Sequence, residues 1–210
     1  WVLKNKKLII FIILLTLILI IFIFYIIFNS KMAKKINFGN NKSSQEIVSE
    51  FLNISSYEAT VKIDVKSNKN NNKYILKKQY ISPNISTQEV IEPKNIAGIK
   101  IIKEGNNLKI ENTKLNLSSI FENYNYISEN DLDLECFIEQ YKNQKEQKIE
   151  EKDNQIILKI EGNKNKNLYI DKNTAKPIKM ELKDNNKNES VYILYNEVTL
   201  NNIKKENLIK

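Results

Sequence analysis

The sequence predicts an α+β domain that is built on an antiparallel sheet and preceded by one transmembrane helix. Short runs of alternating apolar and polar residues recur along most of the chain, with turn-forming residues between them. Two segments with helical spacing interrupt these runs, so helices are available to cover one face of the sheet. A long apolar stretch near the start indicates the membrane segment.

The apolar stretch runs from Leu8 to Phe28 and contains no charged side chain. At about 1.5 Å per residue it forms a helix of roughly 31 Å, enough to cross a hydrocarbon core of about 30 Å. A cleaved signal peptide is the competing interpretation, because lysines precede the stretch. Signal peptides have a shorter apolar core and a small-x-small cleavage site, however, and residues 29–33 lack such a site. We therefore expect an uncleaved anchor.

The organisation of the rest follows from this anchor. Lysines flank it on both sides, so charge does not decide its orientation, but a signal-like start favours a cytoplasmic N-terminus. We expect residues 1–7 to form a short cytoplasmic tail, 8–28 the anchor, 29–42 a juxtamembrane linker and 43–210 one extracytoplasmic domain. The predicted location is the cell membrane, crossed once.

The net charge of +8 would suggest a nucleic-acid binder if the charge were clustered in the domain. Residues 43–210 instead carry 26 lysines against 25 acidic residues, and the chain contains no arginine. Duplex recognition favours clustered cations and the bidentate arginine fork. We therefore expect no nucleic-acid partner.

The chain has no histidine and a single cysteine, Cys136. These counts exclude Ser-His-Asp triads, Cys-His pairs, zinc sites with histidine and an internal disulfide. Four acidic residues, Asp131, Asp133, Glu135 and Glu139, gather near a predicted helix start, where compensation of the helix dipole explains them without a metal. We expect no catalytic residue, cofactor or metal, and hence no enzyme.

The domain begins with a predicted helix from about Ser44 to Asn53. Ser43 and Glu46 have the spacing of a capping box. The apolar residues that follow share one helical face: Ile47, Val48, Phe51 and Ile54.

A strand over residues 57–66 has the clearest alternation in the chain, with apolar residues on one face and polar residues on the other. The turn-forming residues 67–72 lead into a second strand, in which Lys78 breaks the alternation. We expect the two strands to form an antiparallel hairpin. Their inward residues are Tyr57, Ala59, Val61, Ile63, Val65, Tyr74, Leu76 and Tyr80.

Further strands are predicted at 86–91, 98–103, 107–111, 155–161, 166–171, 178–183 and 190–196. Residues 171–177 should form a hairpin turn between the strands at 166–171 and 178–183. A second helix, capped by Ser128 with Asp131 three residues later, separates the two groups of strands and presents one apolar face. That face consists of Leu134, Phe137, Ile138 and Tyr141.

These inward residues are interpreted as plain core or, alternatively, as the lining of a ligand cavity. The residues predicted to line the core or cavity are Tyr57, Ala59, Val61, Ile63, Val65, Tyr74, Leu76, Leu134, Phe137, Ile138 and Tyr141. Three tyrosines among polar neighbours, Tyr124, Tyr126 and Tyr195, modestly favour an exposed binding surface. Exposed strand edges would also allow a homodimer.

The order of elements resembles the LolA/LolB-like lipoprotein-carrier fold, and within it the clostridial germination proteins of the GerS type. Three local sequences carry the resemblance: SSYEATVK at 55–62, FIEQY at 137–141, and LYIDK at 168–172 with PIKM at 177–180. The resemblance implies a strongly curved antiparallel sheet, an unclosed half-barrel, with helices covering its concave face. The chain departs from the lipoprotein members because it has no N-terminal cysteine to lipidate.

Two functions follow from this resemblance. GerS-type proteins act as partners of a cortex amidase, which implies a membrane-anchored, non-enzymatic scaffold for a cell-wall or spore-cortex enzyme, at the cell membrane or in the space between forespore and mother cell. LolA-type carriers hold acyl chains, which implies the alternative of a lipid or lipoprotein carrier or sensor. The absence of catalytic side chains fits both functions.

Overall fold

The computed structural model describes residues 42–67, 71–124, 131–184 and 189–203. The predicted anchor at 8–28, the tail before it and nearly all of the predicted linker lie outside these residues. Within the described ranges, no helix has the length and apolar character needed to cross a membrane.

The described residues form two helices and eleven strands. The helices are α1 (Ser44–Leu52) and α2 (Leu134–Lys142). The strands are β1 (Ser56–Ser67), β2 (Asn71–Ile81), β3 (Ile85–Glu92), β4 (Ile99–Glu104), β5 (Asn107–Asn112), β6 (Leu117–Phe121), β7 (Lys148–Lys152), β8 (Gln155–Ile160), β9 (Lys164–Asp171), β10 (Pro177–Asp184) and β11 (Glu189–Leu200).

All eleven strands form one antiparallel sheet in the order β6-β5-β4-β3-β2-β1-β11-β10-β9-β8-β7. Each half is a meander of neighbouring strands, and the pairing of β1 with β11 joins the two halves at the centre. These two central strands have 12 residues each. The outermost strands β6 and β7 do not pair with each other, so the predicted unclosed antiparallel sheet with two helices is confirmed.

The start of α1 is fixed by the predicted capping box, which is confirmed. The backbone N–H of Glu46 donates to Ser43 Oγ at 3.3 Å, and the backbone N–H of Ser43 donates to Glu46 Oε2 at 2.7 Å. These two bonds satisfy donors that the first helical turn leaves without partners. The hydrogen bonds from Ser43 also lower the pKa of Glu46.

Both helices pack against one face of the sheet, which we call the inner face and define by Tyr57, Ala59, Val61 and Ile63 of β1. The largest side chains buried there include Phe51 from α1 and Phe137 from α2. Strands β1, β2 and β8–β11 supply the rest of this core, with half-buried residues of β3 and β7 at its margins. Among the described strands, β4, β5 and β6 contribute no residue to it.

The structure differs from the sequence prediction in two edge strands and in one helix start. Strands β6 and β7 are absent from the prediction, because the sequences LSSIF and KIEEK do not alternate over enough residues. The second helix begins at Leu134 with Asp133 as its N-cap, and Asp131 lies before it in a turn. The predicted cap residue Ser128 lies outside the described residues.

We expect Leu168→Ala to lower the free energy of unfolding by about 2–5 kcal/mol, because the truncation leaves a cavity in the core. Leu168 is 0% exposed on β9. The matched control is Leu194→Ala on β11, where the leucine is 46% exposed and the change should be about 0.5 kcal/mol or less. Denaturant unfolding followed by circular dichroism measures both. Equal losses for the two variants would contradict the assignment of the inner face.

Candidate functional site

Two lysines lie on the apolar inner face of the sheet. Lys78 on β2 is paired in register with Ala59, and Lys166 on β9 precedes the buried Leu168 on the same face. Each lysine is only 4% exposed. A buried ammonium group without a partner is costly, so both positions require an acceptor within the protein.

The carboxylate partners of both lysines come from the short segment that leads into α2. Lys78 Nζ forms an ion pair with Asp133 and lies 3.4 Å from the carbonyl oxygen of Leu132. Lys166 Nζ lies 2.6 Å from Asp131 Oδ1 and 2.6 Å from Gln140 Oε1. We call Lys78–Asp133 and Lys166–Asp131 the two clamp pairs.

The clamp pairs hold the N-terminal end of α2 from both halves of the sheet. Strand β2 belongs to the first meander and β9 to the second, and three strands lie between them. The hydrogen bond from Lys166 lowers the pKa of Asp131, which keeps that carboxylate ionised. The two lysines therefore connect the start of α2 to strands in both halves of the sheet.

A third carboxylate, Glu135 in the first turn of α2, has a different environment. The hydroxyl group of Tyr57 donates to Glu135 Oε2 at 2.7 Å. Burial, and then the negative charge of Asp133, raise the pKa of Glu135. Burial also raises the pKa of Tyr57 and Tyr195. The hydroxyl group of Tyr195 is enclosed and has no hydrogen-bond partner among the described residues.

A cavity of about 480 Å³ adjoins this cluster, between α2 and the turns that follow β2 and β4. Its charged lining consists of the carboxylates Asp133, Glu135 and Glu139 and the ammonium groups Lys103 and Lys142. Ligand cavities for apolar molecules are lined mainly by apolar side chains with few polar groups. The charged lining thus favours a polar occupant over an acyl chain.

The structure places the predicted inward residues in or next to the core. The buried members are Tyr57, Ala59, Val61, Ile63, Leu76, Leu134, Phe137, Ile138 and Tyr141, and the half-buried members are Val65 and Tyr74. Of this set, only Ile138 borders the 480 Å³ cavity. A role of the others in lining a ligand site stays a prediction.

Some features of the site are not predicted from the sequence. In the sequence, Lys78 is visible only as a break in an alternating strand. The acidic residues near α2 are explained in the sequence by the helix dipole, without an ion pair. A lysine at an inward strand position, together with nearby acidic residues, is the available signal for a buried ion pair. Tyr195, expected at the surface, is buried at 8% exposure, and Tyr126 lies outside the described residues.

Cys136 is buried, and Gln140 Nε2 donates to its Sγ at 3.2 Å. Among the described residues, no group of three or more acidic or cysteine side chains is arranged to hold a metal ion.

Comparison with known sequences gives no match to any protein-family model or curated protein. Solved structures do match. A conserved protein from Thermus thermophilus has a TM-score of 0.50 at 14% identity, over 80% of this chain and 94% of that one. A LolA superfamily protein from Nitrosomonas europaea has a TM-score of 0.45 at 13% identity, over 80% of this chain and 98% of that one.

A third match is a chain from the complex of the CwlD amidase with the GerS lipoprotein from Clostridioides difficile. Its TM-score is 0.40 at 22% identity, over 79% of this chain and 97% of that one. The fold resemblance predicted from the sequence is confirmed. At these identities the matches describe the fold and leave function to other observations.

We expect Lys78→Met to lower the free energy of unfolding by about 3–5 kcal/mol, because it leaves Asp133 without its counter-ion. The double variant Lys78→Met with Asp133→Asn should recover most of this loss, since asparagine is neutral and still suits an N-cap. The control is Lys148→Met in the exposed pair with Glu161, where we expect about 1 kcal/mol or less. Denaturant unfolding measures all three. No recovery in the double variant would contradict the clamp pair.

We expect Glu135→Gln to raise the free energy of unfolding at neutral pH. The pKa of Glu135 is raised in the folded protein, so ionisation at neutral pH destabilises the wild type. As the pH falls through the folded-state pKa, the wild type takes up a proton and gains stability, and the advantage of the variant disappears. Thermal unfolding from pH 7 to pH 4 measures this difference, with Glu139→Gln at an exposed position as control. A variant advantage independent of pH would exclude this explanation.

Proposed function

We propose that this chain is a membrane-anchored, extracytoplasmic protein without enzymatic activity that binds and supports a cell-wall or spore-cortex enzyme. The observation that carries the proposal is the filled inner face of the sheet. Two helices pack their large side chains onto it, including Phe51, Phe137 and Tyr141, each at most 1% exposed. A protein with a filled interior binds through its surface.

The acidic residues at the candidate site support a non-enzymatic role. Asp131 and Asp133 are engaged by buried lysines, and Glu135 accepts a hydrogen bond from Tyr57. General acid–base chemistry needs a group free to exchange its proton with a substrate. These three carboxylates instead hold the N-terminal end of α2 against the sheet.

A lipid or lipoprotein carrier is the second candidate function, and the 480 Å³ cavity is the observation in its favour. Cavities of roughly 300–1,000 Å³ accommodate small ligands. Burying an acyl chain against five charged side chains would cost their solvation, however, and this cost favours the scaffold.

The amidase is our first choice of partner because the sequence resembles GerS-type proteins, and the GerS lipoprotein has been solved in complex with the CwlD amidase. The anchor at 8–28 would hold the domain against the outer face of the membrane, where cell-wall enzymes act. Sporulation and germination are the processes that this resemblance suggests.

We expect the full-length chain, purified from membranes of sporulating cells, to retain a peptidoglycan amidase in native mass spectrometry and to carry no lipid. The variant Glu139→Trp, which places a large ring at the cavity, should leave the protein complex intact. Co-purified lipid that is lost in this variant would instead establish the carrier. Recovery of neither an amidase nor another cell-wall enzyme would count against the proposal. Digestion by protease added outside intact spheroplasts tests the extracytoplasmic location.

A further inference from the structure

The two outermost strands of the sheet differ in how they are protected from further pairing. Four of the five residues of β7 (KIEEK) are charged, which is a common protection of an edge strand. Strand β6 (LSSIF) has neither a charged residue nor a proline. Within the described residues, only β5 pairs with β6. The backbone N–H and C=O groups of β6 that point away from β5 can therefore pair with another strand.

Apolar side chains are exposed along and beside the same strand. The described chain has seven exposed large apolar residues, and five of them lie between positions 115 and 124: Leu115 at 65%, Leu117 at 63%, Ile120 at 63%, Phe121 at 42% and Tyr124 at 37%. Together they expose on the order of 500 Å² of side-chain surface over both faces of the sheet beside this edge, whereas exposed apolar residues on a monomer are usually scattered singly. We call this surface, residues 115–124, the β6 edge.

We propose that the β6 edge pairs with the β6 edge of a second copy of this chain, antiparallel and about a two-fold axis at Ser119. The chain is then a homodimer in which two sheets of eleven strands continue into each other. This inference is independent of the proposed function, since a scaffold can act as a monomer or as a dimer.

The sequence of β6 is self-complementary in this register. Leu117 lies opposite Phe121 of the second copy, so two exposed apolar side chains cover each other on one face. On the other face, Ser118 lies opposite Ile120 of the second copy. At the two-fold axis, Ser119 lies opposite Ser119 of the second copy. No like charges face each other, because β6 has no charged residue.

Charges at the two ends of β6 also complement each other between copies. Lys114 precedes the strand and Glu122 follows it. Antiparallel pairing about Ser119 brings the Lys114 end of each copy to the Glu122 end of the other. Within the described ranges, neither residue has an ion-pair partner.

The area available also suits a dimer. A stable interface buries about 800 Å² on each partner. The exposed side chains of the β6 edge supply more than half of this, and the strand backbone and neighbouring side chains of β5 add to it. An acyl chain could cover the apolar side chains but could not pair with the backbone N–H and C=O groups of the edge. An extended strand can cover the apolar side chains and also pair with these backbone groups. The β6 strand of a second copy is such a strand, and its sequence matches.

The test uses single cysteines in the full-length chain, oxidised in isolated membranes. Opposite Cα atoms in an antiparallel ladder are about 4.5–5.5 Å apart, within the range of about 4.4–6.8 Å that a disulfide requires. Ser119→Cys should therefore form a disulfide-linked dimer on a non-reducing gel. Ser118→Cys is the matched control. Position 118 lies opposite position 120 of the second copy, so the Cα atoms at position 118 of the two copies are roughly 8 Å apart. This distance is too long for a disulfide, and the variant should give about tenfold less dimer. The native Cys136 is buried, and the wild type gives its background.

Charge variants test the same axis without oxidation. Ser119→Lys and Ser119→Asp each place like charges opposite each other and should shift the detergent-solubilised chain to monomer in sedimentation analysis. A mixture of the two should restore the dimer. Because Ser119 is exposed, circular dichroism should show unchanged folding of both variants.

Three outcomes would overturn the proposal. These are equal cross-linking of the two cysteine variants, a cross-link from Ser119→Cys only to a protein of a different mass, and a monomeric wild type. The second outcome would assign the β6 edge to a strand of another protein. Loss of the dimer with retention of the amidase would leave the proposed function standing, so the two failures can be distinguished.

Discussion

The structure depends on the need of two buried lysines for counter-ions. Lys78 and Lys166 lie on a face that is otherwise packed with apolar side chains, and each is almost completely removed from water. Their charges can be accommodated only if carboxylates approach from the other side of the core. Asp131 and Asp133 do so, and because they precede α2, the two ion pairs hold the start of the helix against the sheet, beside the contacts of its apolar face.

This constraint also shapes the chemistry of the interior. Once α2 is held at its N-terminal end, its apolar face lies on the sheet and fills the space that a carrier would leave for a ligand. The cavity of about 480 Å³ adjoins the helix end and includes charged side chains in its lining. The clamp pairs hold α2 where its apolar side chains pack against the inner face of the sheet, and the charged cavity lies beside the start of this helix.

The sequence predicted the helices and strands that have one buried face and one face exposed to solvent. Strand β1 alternates strictly because its two faces have different environments, and α1 was predicted from its capping box and apolar face. The edge strands β6 and β7 were missed because an edge strand has less to bury, so that solvent or a partner decides its residues. The clamp pairs were missed because each joins residues far apart in the chain: a local pattern shows that Lys78 is out of place but not which residue compensates it.

The distribution of the core explains why one end of the sheet needs a partner more than the other. Among the described residues, the core beneath the helices extends only as far as β3, and the inward residues of the next strands, such as Ile101 and Ile110, are half-buried. Strands gain stability in water when an apolar face packs against a covering layer, and β4–β6 contribute no residue to the described core. Strand β7, by contrast, contributes Ile149 to the margin of the core and presents charges outward. If evolution had optimised the two ends only for a monomer, the less supported end should carry the stronger protection. It carries none, and the proposed pairing of two β6 edges would supply the support that the helices do not give to this end.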